Sequence, residues 1–476
     1  MNKFVKFSLV IILFSIISII SFSCLEKEEK IKIPKYIFLF IGDGMGSTHV
    51  ALTEAYKANI NGQIGFEKLT MTNFPAFGQC KTYCKNRQIT DSGAAGSAIA
   101  CGEKAMVETI SYYENTENNN TKSIAKIAHE NGLKVGILTT VSIDHATPAA
   151  FYAISKNRSS YYEIGLQLPE NDFDFFGGGG FYYPNGKTVN EKSLTSIAQE
   201  SGYKIYNELK DISKEDEKVV FINPVLLPEG EMPYAIDREN YGGANLADIV
   251  KSGINFLENP DGFFMMVEGG KIDWASHEND AATIINEIID FDNAIAEAYK
   301  FYLNHPDETL IIVTADHETG GISMGIGANY YESNFAILND QKCSQSYLAS
   351  LISSYKKNTA NYQLQDIFNI VERDFYQTSI EFTEAELKLI NNAFDYYFYN
   401  KTNLTGGELY NLYGGYNPIS ITFTNILNNR ASVGFSSRSH TGADVPVYSV
   451  GVGCDKFSGS MNNIEIKEKI AQIKNW

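Results

Sequence analysis

Positive charge is scarce in this chain. Its 476 residues carry 39 Lys and Arg against 57 Asp and Glu, a net charge of −18. Phosphate-backbone binding needs a positive face, so the balance argues against nucleic acid as a partner. A carboxylate surplus is compatible with cation binding and equally with plain solubility. Cysteine is also sparse: six in all and no C-x-x-C pair, which removes the usual thiolate zinc frameworks. With Cys24 set aside, Cys80, Cys84, Cys101, Cys343 and Cys454 remain, an odd number that reads as buried thiols. A disulfide among the first three is compatible with an oxidising compartment, but the spacing does not assign one. There are seven histidines, no internal repeat and no long low-complexity tract.

One long apolar run is present, Phe7 to Ser23, preceded by Lys3 and Lys6 and followed by Cys24. Basic residues, an apolar region and a small residue at the cut are the order of a secretory signal. The ending "SFSC" resembles a bacterial lipoprotein signal, which makes Cys24 the expected lipidated residue. Ser21 departs from that pattern, where a branched apolar residue is usual. An uncleaved membrane anchor is the alternative, at the short limit for a span. The expected organisation is a signal peptide over 1–23, a tether over 24–34 and a catalytic body over 35–476. Export to the periplasm or cell envelope follows on either reading.

What the body has in abundance is short apolar runs that end in polar clusters. "YIFLFIGDGMG" (36–46), "LKVGILTTVSIDHATP" (133–148), "GFFMMVEGGKIDWASH" (262–277) and "TLIIVTADHETGG" (309–321) share this form. "VPVYSVGVG" (445–453) is a fifth strand, with His440 just before it. Amphipathic helices lie between, at 245–259 and 281–304 among others. The alternation predicts an α/β fold: a three-layer sandwich with a large, mostly parallel central sheet covered by helices on both faces. Ligands bind beyond the carboxyl ends of such strands, where four of the five runs place carboxylates or histidines. Two stretches read as insertions, about 177–240 and a helical, aromatic-rich lobe at about 322–435.

The chemistry-bearing residues fall in these clusters. "GDGMG" lacks full dinucleotide spacing, and Asp43 suits a cation better than a phosphate. Asp273 and His277 are four apart, so one helical turn can present both to a metal. Glu268 precedes them, and Asp316 and His317 are adjacent after a strand. In "ITDSGAAGSA" (89–98), Ser92 reads either as a helix N-cap before a small-residue helix or as a nucleophile. His49, His129 and His305 are given no role.

In order, "FIGDGMG", "TDSGAAGSA", "HATPAAF", "GFFMMVEGGKID", "VTADHETGG" and "HTG" resemble the alkaline phosphatase family. The resemblance implies a phosphate monoester hydrolase with two zinc ions and one magnesium ion. Ser92 would be the nucleophile of a phosphoserine intermediate, beside a zinc held by Asp43, Asp316 and His317. Asp273, His277 and His440 would hold the second zinc; Asp43, Thr147 and Glu268 would hold magnesium. Arg158, eleven residues after Thr147, would bind phosphate, with Asp91 orienting it. His145 and Trp274 depart from the pattern of many members and modulate the third metal site, as in a subset of bacterial enzymes. The family also implies a homodimer. Two divalent ions suit the chemistry because they stabilise both the attacking and the leaving oxygen. Two other readings stay open: a phosphodiesterase or another hydrolase of the same superfamily, and, remotely, a metal-binding surface lipoprotein. A formylglycine sulfatase is disfavoured because "DSGAAG" lacks the required arginine.

Overall fold

The computed structural model describes residues 32–114, 121–188, 191–327, 329–377 and 380–476. The expected signal peptide, Cys24 and nearly all of the tether lie outside the described residues. Four strands at the centre of the main sheet consist of residues that are almost all buried: β1 (Tyr36–Ile41), β3 (Lys134–Thr139), β7 (Phe263–Glu268) and β8 (Thr309–Thr314). Such continuous apolar runs, rather than alternating ones, are what a sheet covered on both faces requires.

The sheet has ten strands in the order β14-β2-β13-β8-β1-β7-β3-β4-β6-β5. The remaining members are β2 (Ala76–Lys81), β4 (Phe175–Gly178), β5 (Tyr203–Tyr206), β6 (Lys218–Ile222), β13 (Val445–Gly451) and β14 (Gly459–Asn462). Pairing is parallel throughout except around β13, which runs antiparallel to both β2 and β8. The other pairs are parallel, and Ile41 at the end of β1 is level with Glu268 of β7 and Thr314 of β8. Thr139 of β3 is level with Glu268 as well. Four strands therefore end at one height. The reversal of β13 brings its N-terminal end, and the segment carrying His440, to that same edge.

The helices follow local signals. α1 (Ser92–Cys101) is capped by Asp91, whose carboxylate accepts from the amides of Gly93 and Ala94. Ser92 is thus the first helical residue and Asp91 the cap. All ten residues of α1 are buried, and a Cβ on Gly93 would lie 2.8 Å from Thr109 O, so the helix start admits no larger side chain. α2 (Leu246–Leu257), capped by Asn245, buries Leu246, Ile249, Val250, Gly253 and Ile254, the stripe expected of a helix laid on a sheet. α3 (Lys271–His277) and α4 (Ala281–Asn304) follow β7 directly.

The segment 177–240 does not stand apart from the sheet. It supplies β5 and β6, which pair parallel and extend the sheet from β4. The segment 322–435 is largely helical, with α5 (Gln345–Asn358), α6 (Glu384–Tyr399) and α7 (Pro418–Ala431). Its two ends are zipped together by β10 (Ile322–Met324) and β11 (Val433–Phe435), an antiparallel pair outside the main sheet. Cys80, Cys84, Cys101, Cys343 and Cys454 are free thiols, the first four buried. No helix of the described residues is long and apolar enough to cross a membrane.

Candidate active site

The common strand edge gathers the polar residues. Asp43 sits two residues past β1 in a turn that needs glycine next: Gly44 has φ +73°, and a Cβ there would lie 2.9 Å from Asp273 Cα. Asp316 and His317 follow β8, and Glu268 is the last residue of β7. Asp273 and His277 lie one turn apart on α3, and His145 and Thr147 follow β3. His440 arrives on β12 (His440–Thr441), paired antiparallel with β9 (Glu318–Thr319) so that it faces Thr319.

Two linked groups of ligand-type atoms result. His317 Nε2 lies 3.4 Å from Asp43 Oδ1 and 3.3 Å from Asp316 Oδ2, and Ser92 Oγ is 3.1 Å from the same nitrogen. Asp273 Oδ2 is 3.3 Å from His277 Nε2, and Asp273 Oδ1 is 3.7 Å from His440 Nε2. The imidazoles of His317 and His440 stack with centroids 3.6 Å apart, which joins the groups. The other ring nitrogens are fixed from behind: His277 Nδ1 by Arg438 O at 2.6 Å and His440 Nδ1 by Thr90 O at 2.8 Å. Such backing orients a histidine so that its Nε2 faces a metal.

A third group lies on the far side of Asp43. Asp43, His145 and Glu268 offer atoms within 4.8 Å of one another, as do Asp43, Asp316 and His317, and likewise Asp273, His317 and His440. Thr147 Oγ1 reaches Asp43 Oδ2 at 3.4 Å, and the Thr139 hydroxyl donates to Glu268. Trp274 packs edge-on against His145 with centroids 6.1 Å apart. Arg158 Nη1 donates to Asp91 Oδ2 at 3.0 Å across the mouth from Ser92.

The electrostatics show a deficit of positive charge. Burial, reinforced by Asp316, Asp273 and Glu268, pushes the Asp43 carboxyl well above its ordinary range. Burial and Asp273 raise Asp316 to about 8, and burial raises Glu268 to about 7. Asp273 goes the other way: burial opposes its ionisation, but His277, His440 and His317 outweigh that and hold it well below the usual carboxylate range. Burial likewise opposes charge on His277, yet Asp273 lifts it to about 9. Burial, then Arg158, lowers His145 to about 3, which leaves it a neutral ligand-type imidazole. Asp43 Oδ1, Asp316 Oδ2, Glu268 Oε1 and His145 Nδ1 are buried with no hydrogen-bond partner. Buried polar atoms are otherwise almost always satisfied, so the four orphans and the crowded carboxylates fit a cation-binding centre.

Several contributors escape a motif-based reading. Glu318 and Thr319 lie inside "TADHETGG", yet their part emerges only from β9–β12 pairing: Thr319 Oγ1 bonds Asp273 Oδ1 at 2.5 Å and His317 Nδ1 at 3.2 Å. Lys271 is buried between the rings of Tyr234 and Trp274, 3.9 and 4.3 Å from their centroids. Tyr347 and Tyr416 come from the helical lobe, far in sequence from any cluster. Lys271, Tyr347 and Tyr416 line one cleft of about 850 Å³ with Ser92, Arg158, His145, Asp273, His277 and His440.

The alkaline phosphatase family model matches residues 34–476. The chain belongs to the alkaline phosphatase family. Alkaline phosphatase 4 of Bacillus subtilis is 30% identical over 457 residues, spanning 94% of this chain and 90% of the relative. The cold-active alkaline phosphatase of Shewanella sp. superposes with a TM-score of 0.76 at 26% identity, covering 92% of this chain and 99% of that one. An aspartate-for-histidine variant of the alkaline phosphatase from the Antarctic bacterium TAB5 superposes with a TM-score of 0.64 at 26% identity, over 94% of this chain and 99% of that one. It holds magnesium in a site designated M3. As an alkaline phosphatase, this chain is a phosphomonoester hydrolase of a metal-dependent family.

Proposed function

We propose that the chain hydrolyses phosphate monoesters through a phosphoryl intermediate on Ser92. The observation that carries this is the position of Ser92 Oγ at the start of α1, 3.1 Å from His317 Nε2, an atom within 3.4 Å of both the Asp43 and Asp316 carboxylates. Asp43, Asp316 and His317 would hold one zinc ion, Asp273, His277 and His440 a second, and Asp43, Thr147 and Glu268 a magnesium ion. The buried, unpartnered oxygens of Asp43, Asp316 and Glu268 and the mixed imidazole–carboxylate donor set support this assignment. When bound, these ions supply the positive charge that a dianionic ester and its transition state need.

The chain's own groups do the rest. Arg158, held by Asp91 at 3.0 Å, offers its fork to two non-bridging phosphate oxygens. The dipole of α1 adds partial positive charge on the same side. The Ser92 oxygen forms a bond to phosphorus as the ester oxygen leaves and takes up a proton. Water then breaks the Ser92–phosphorus bond, which returns the serine hydroxyl and releases inorganic phosphate. Arg158 facing Ser92, together with a third acidic group at Glu268, favours monoesters over the phosphodiesterase reading.

His145 stands in the third group, and the TAB5 variant that exchanges a histidine for aspartate holds magnesium. We infer that His145 tunes which metal the third group takes. The N-terminal pattern supports export with lipid attachment at Cys24, and family membership supports a homodimer. The test is hydrolysis of a chromogenic aryl phosphate after chelation and re-addition of zinc and magnesium. Wild type regains activity, whereas Ser92→Ala loses roughly a thousandfold or more. Undiminished turnover by the alanine variant rules the mechanism out.

A further inference from the structure

The active-site cleft has two chemically different walls. One carries Ser92, Arg158 and the ligand-type residues. The other carries Leu227, Pro228, Tyr241, Trp274, Tyr347 and Tyr416. A phosphate group and its ligands need only a fraction of about 850 Å³, so most of this volume faces the alcohol part of an ester. We propose that this wall is a leaving-group subsite that selects monoesters whose alcohol carries an uncharged aromatic ring. The inference rests on the monoesterase reading above and names the substrate class for it.

The rings are set rigidly enough to act as a subsite. Tyr347, on α5, meets Tyr241 edge-on with centroids 5.2 Å apart. Lys271 is clamped between Tyr234 and Trp274, which fixes Trp274 from one side. Tyr416 lies against Arg438, whose guanidinium carbon is 5.7 Å from the ring centroid. Arg438 in turn donates to Glu278 O at 3.0 Å, and its own carbonyl backs His277. Tyr416 is therefore anchored to the loop that positions His277, one residue layer from the chemistry. Planar side chains held this way gain from offset or edge contacts with a bound ring beyond the area they cover.

The charge of the same wall excludes the main competitor. Glu108, Glu229, Glu231 and Glu278 line the cleft, and beside Arg158, which the phosphate would occupy, its cation is Lys271. Lys271 is buried and already engaged: two rings hold it, and Glu231 Oε1 lies 3.9 Å from its Nζ. An alcohol bearing a second phosphate or a carboxylate meets acids there, while a neutral ring meets tyrosines and tryptophan.

The test compares 2-phenylethyl phosphate with ethyl phosphate, two alkyl esters of similar leaving-group basicity that differ in the ring. Wild type should turn over the phenylethyl ester with a kcat/KM roughly tenfold higher. Tyr416→Ala and Tyr347→Ala should each pull that ratio down several-fold, and Tyr416→Phe should keep it. A ratio near one in wild type, or one unmoved by both alanine variants, overturns the subsite. Because the readout is a ratio within one protein, general damage cancels. Failure of the monoesterase reading would show instead as no turnover of either ester, or as full activity in Ser92→Ala.

Discussion

Asp91 serves two purposes with one carboxylate. It caps α1 through the amides of Gly93 and Ala94 at 3.1 and 3.2 Å, and it pairs with Arg158 at 3.0 Å. The two can be separated by substitution. Asn is a favoured cap that keeps one acceptor oxygen and carries no charge, so Asp91→Asn should retain part of the cap while freeing Arg158. Inhibition by inorganic phosphate should then weaken several-fold. Asp91→Ala should show the same weakened inhibition plus a loss of about 1 kcal/mol in chemical denaturation. Equal phosphate inhibition in wild type and Asp91→Asn would detach Arg158 from phosphate binding. The sequence offered Ser92 as the helix N-cap, whereas the structure gives that place to Asp91 and makes Ser92 the first helical residue. Only backbone geometry separates the two, because Ser and Asp are both favoured caps.

At the scale of elements, the smallest strands carry the heaviest constraint. β9 and β12 are two residues each, yet together they set His440 beside His317. Glu318 ties them: its carboxylate accepts the Thr441 hydroxyl and the amides of Gly321, at 3.0 and 3.2 Å, and Ile322, at 3.3 Å. Glu318→Ala should loosen His440 without touching a ligand-type atom. The expected result is a ten- to hundredfold loss of zinc affinity, read from equilibrium metal content. Unchanged zinc content would make Glu318 a purely local staple. No periodicity marks two-residue strands in a sequence, whereas the runs "YIFLFI" and "FFMMVE" are legible because a strand buried on both faces has no polar positions to interrupt it. β2, "AFGQCK", alternates buried and exposed residues over too short a span to stand out. β13 was legible as a strand but not its direction, which long-range pairing decides and which brings His440 to the right edge.

At the scale of the molecule, the fold concentrates negative charge at one sheet edge, and stability should report it. Asp316 and Glu268 are raised to about 8 and about 7, above the ordinary carboxylate value of roughly 4 in an unfolded chain. Between those values the native state binds more protons than the unfolded state, so stability falls as pH rises. His277, raised to about 9 by Asp273, acts in the same direction: its contribution is complete below about 6.5 and is lost as pH passes 9. Metal-stripped protein should thus melt at a lower temperature at pH 9 than at pH 6, and zinc with magnesium should restore more at pH 9. A flat profile would mean the acids are not coupled to folding as their burial implies. The strand-edge clustering was visible in the sequence because each motif terminates an apolar run. The cleft's aromatic lining was not, since Tyr347 and Tyr416 reach it only through the packing of the helical lobe.

Every role assigned above depends on phosphate passing through Ser92. The direct measurement is acid quench of metal-loaded protein during turnover of an aryl phosphate, followed by mass spectrometry of its peptides. A phosphoryl adduct should appear on the peptide containing Ser92 and be absent from Ser92→Ala. An active protein with no adduct, or with the adduct on another residue, would contradict it.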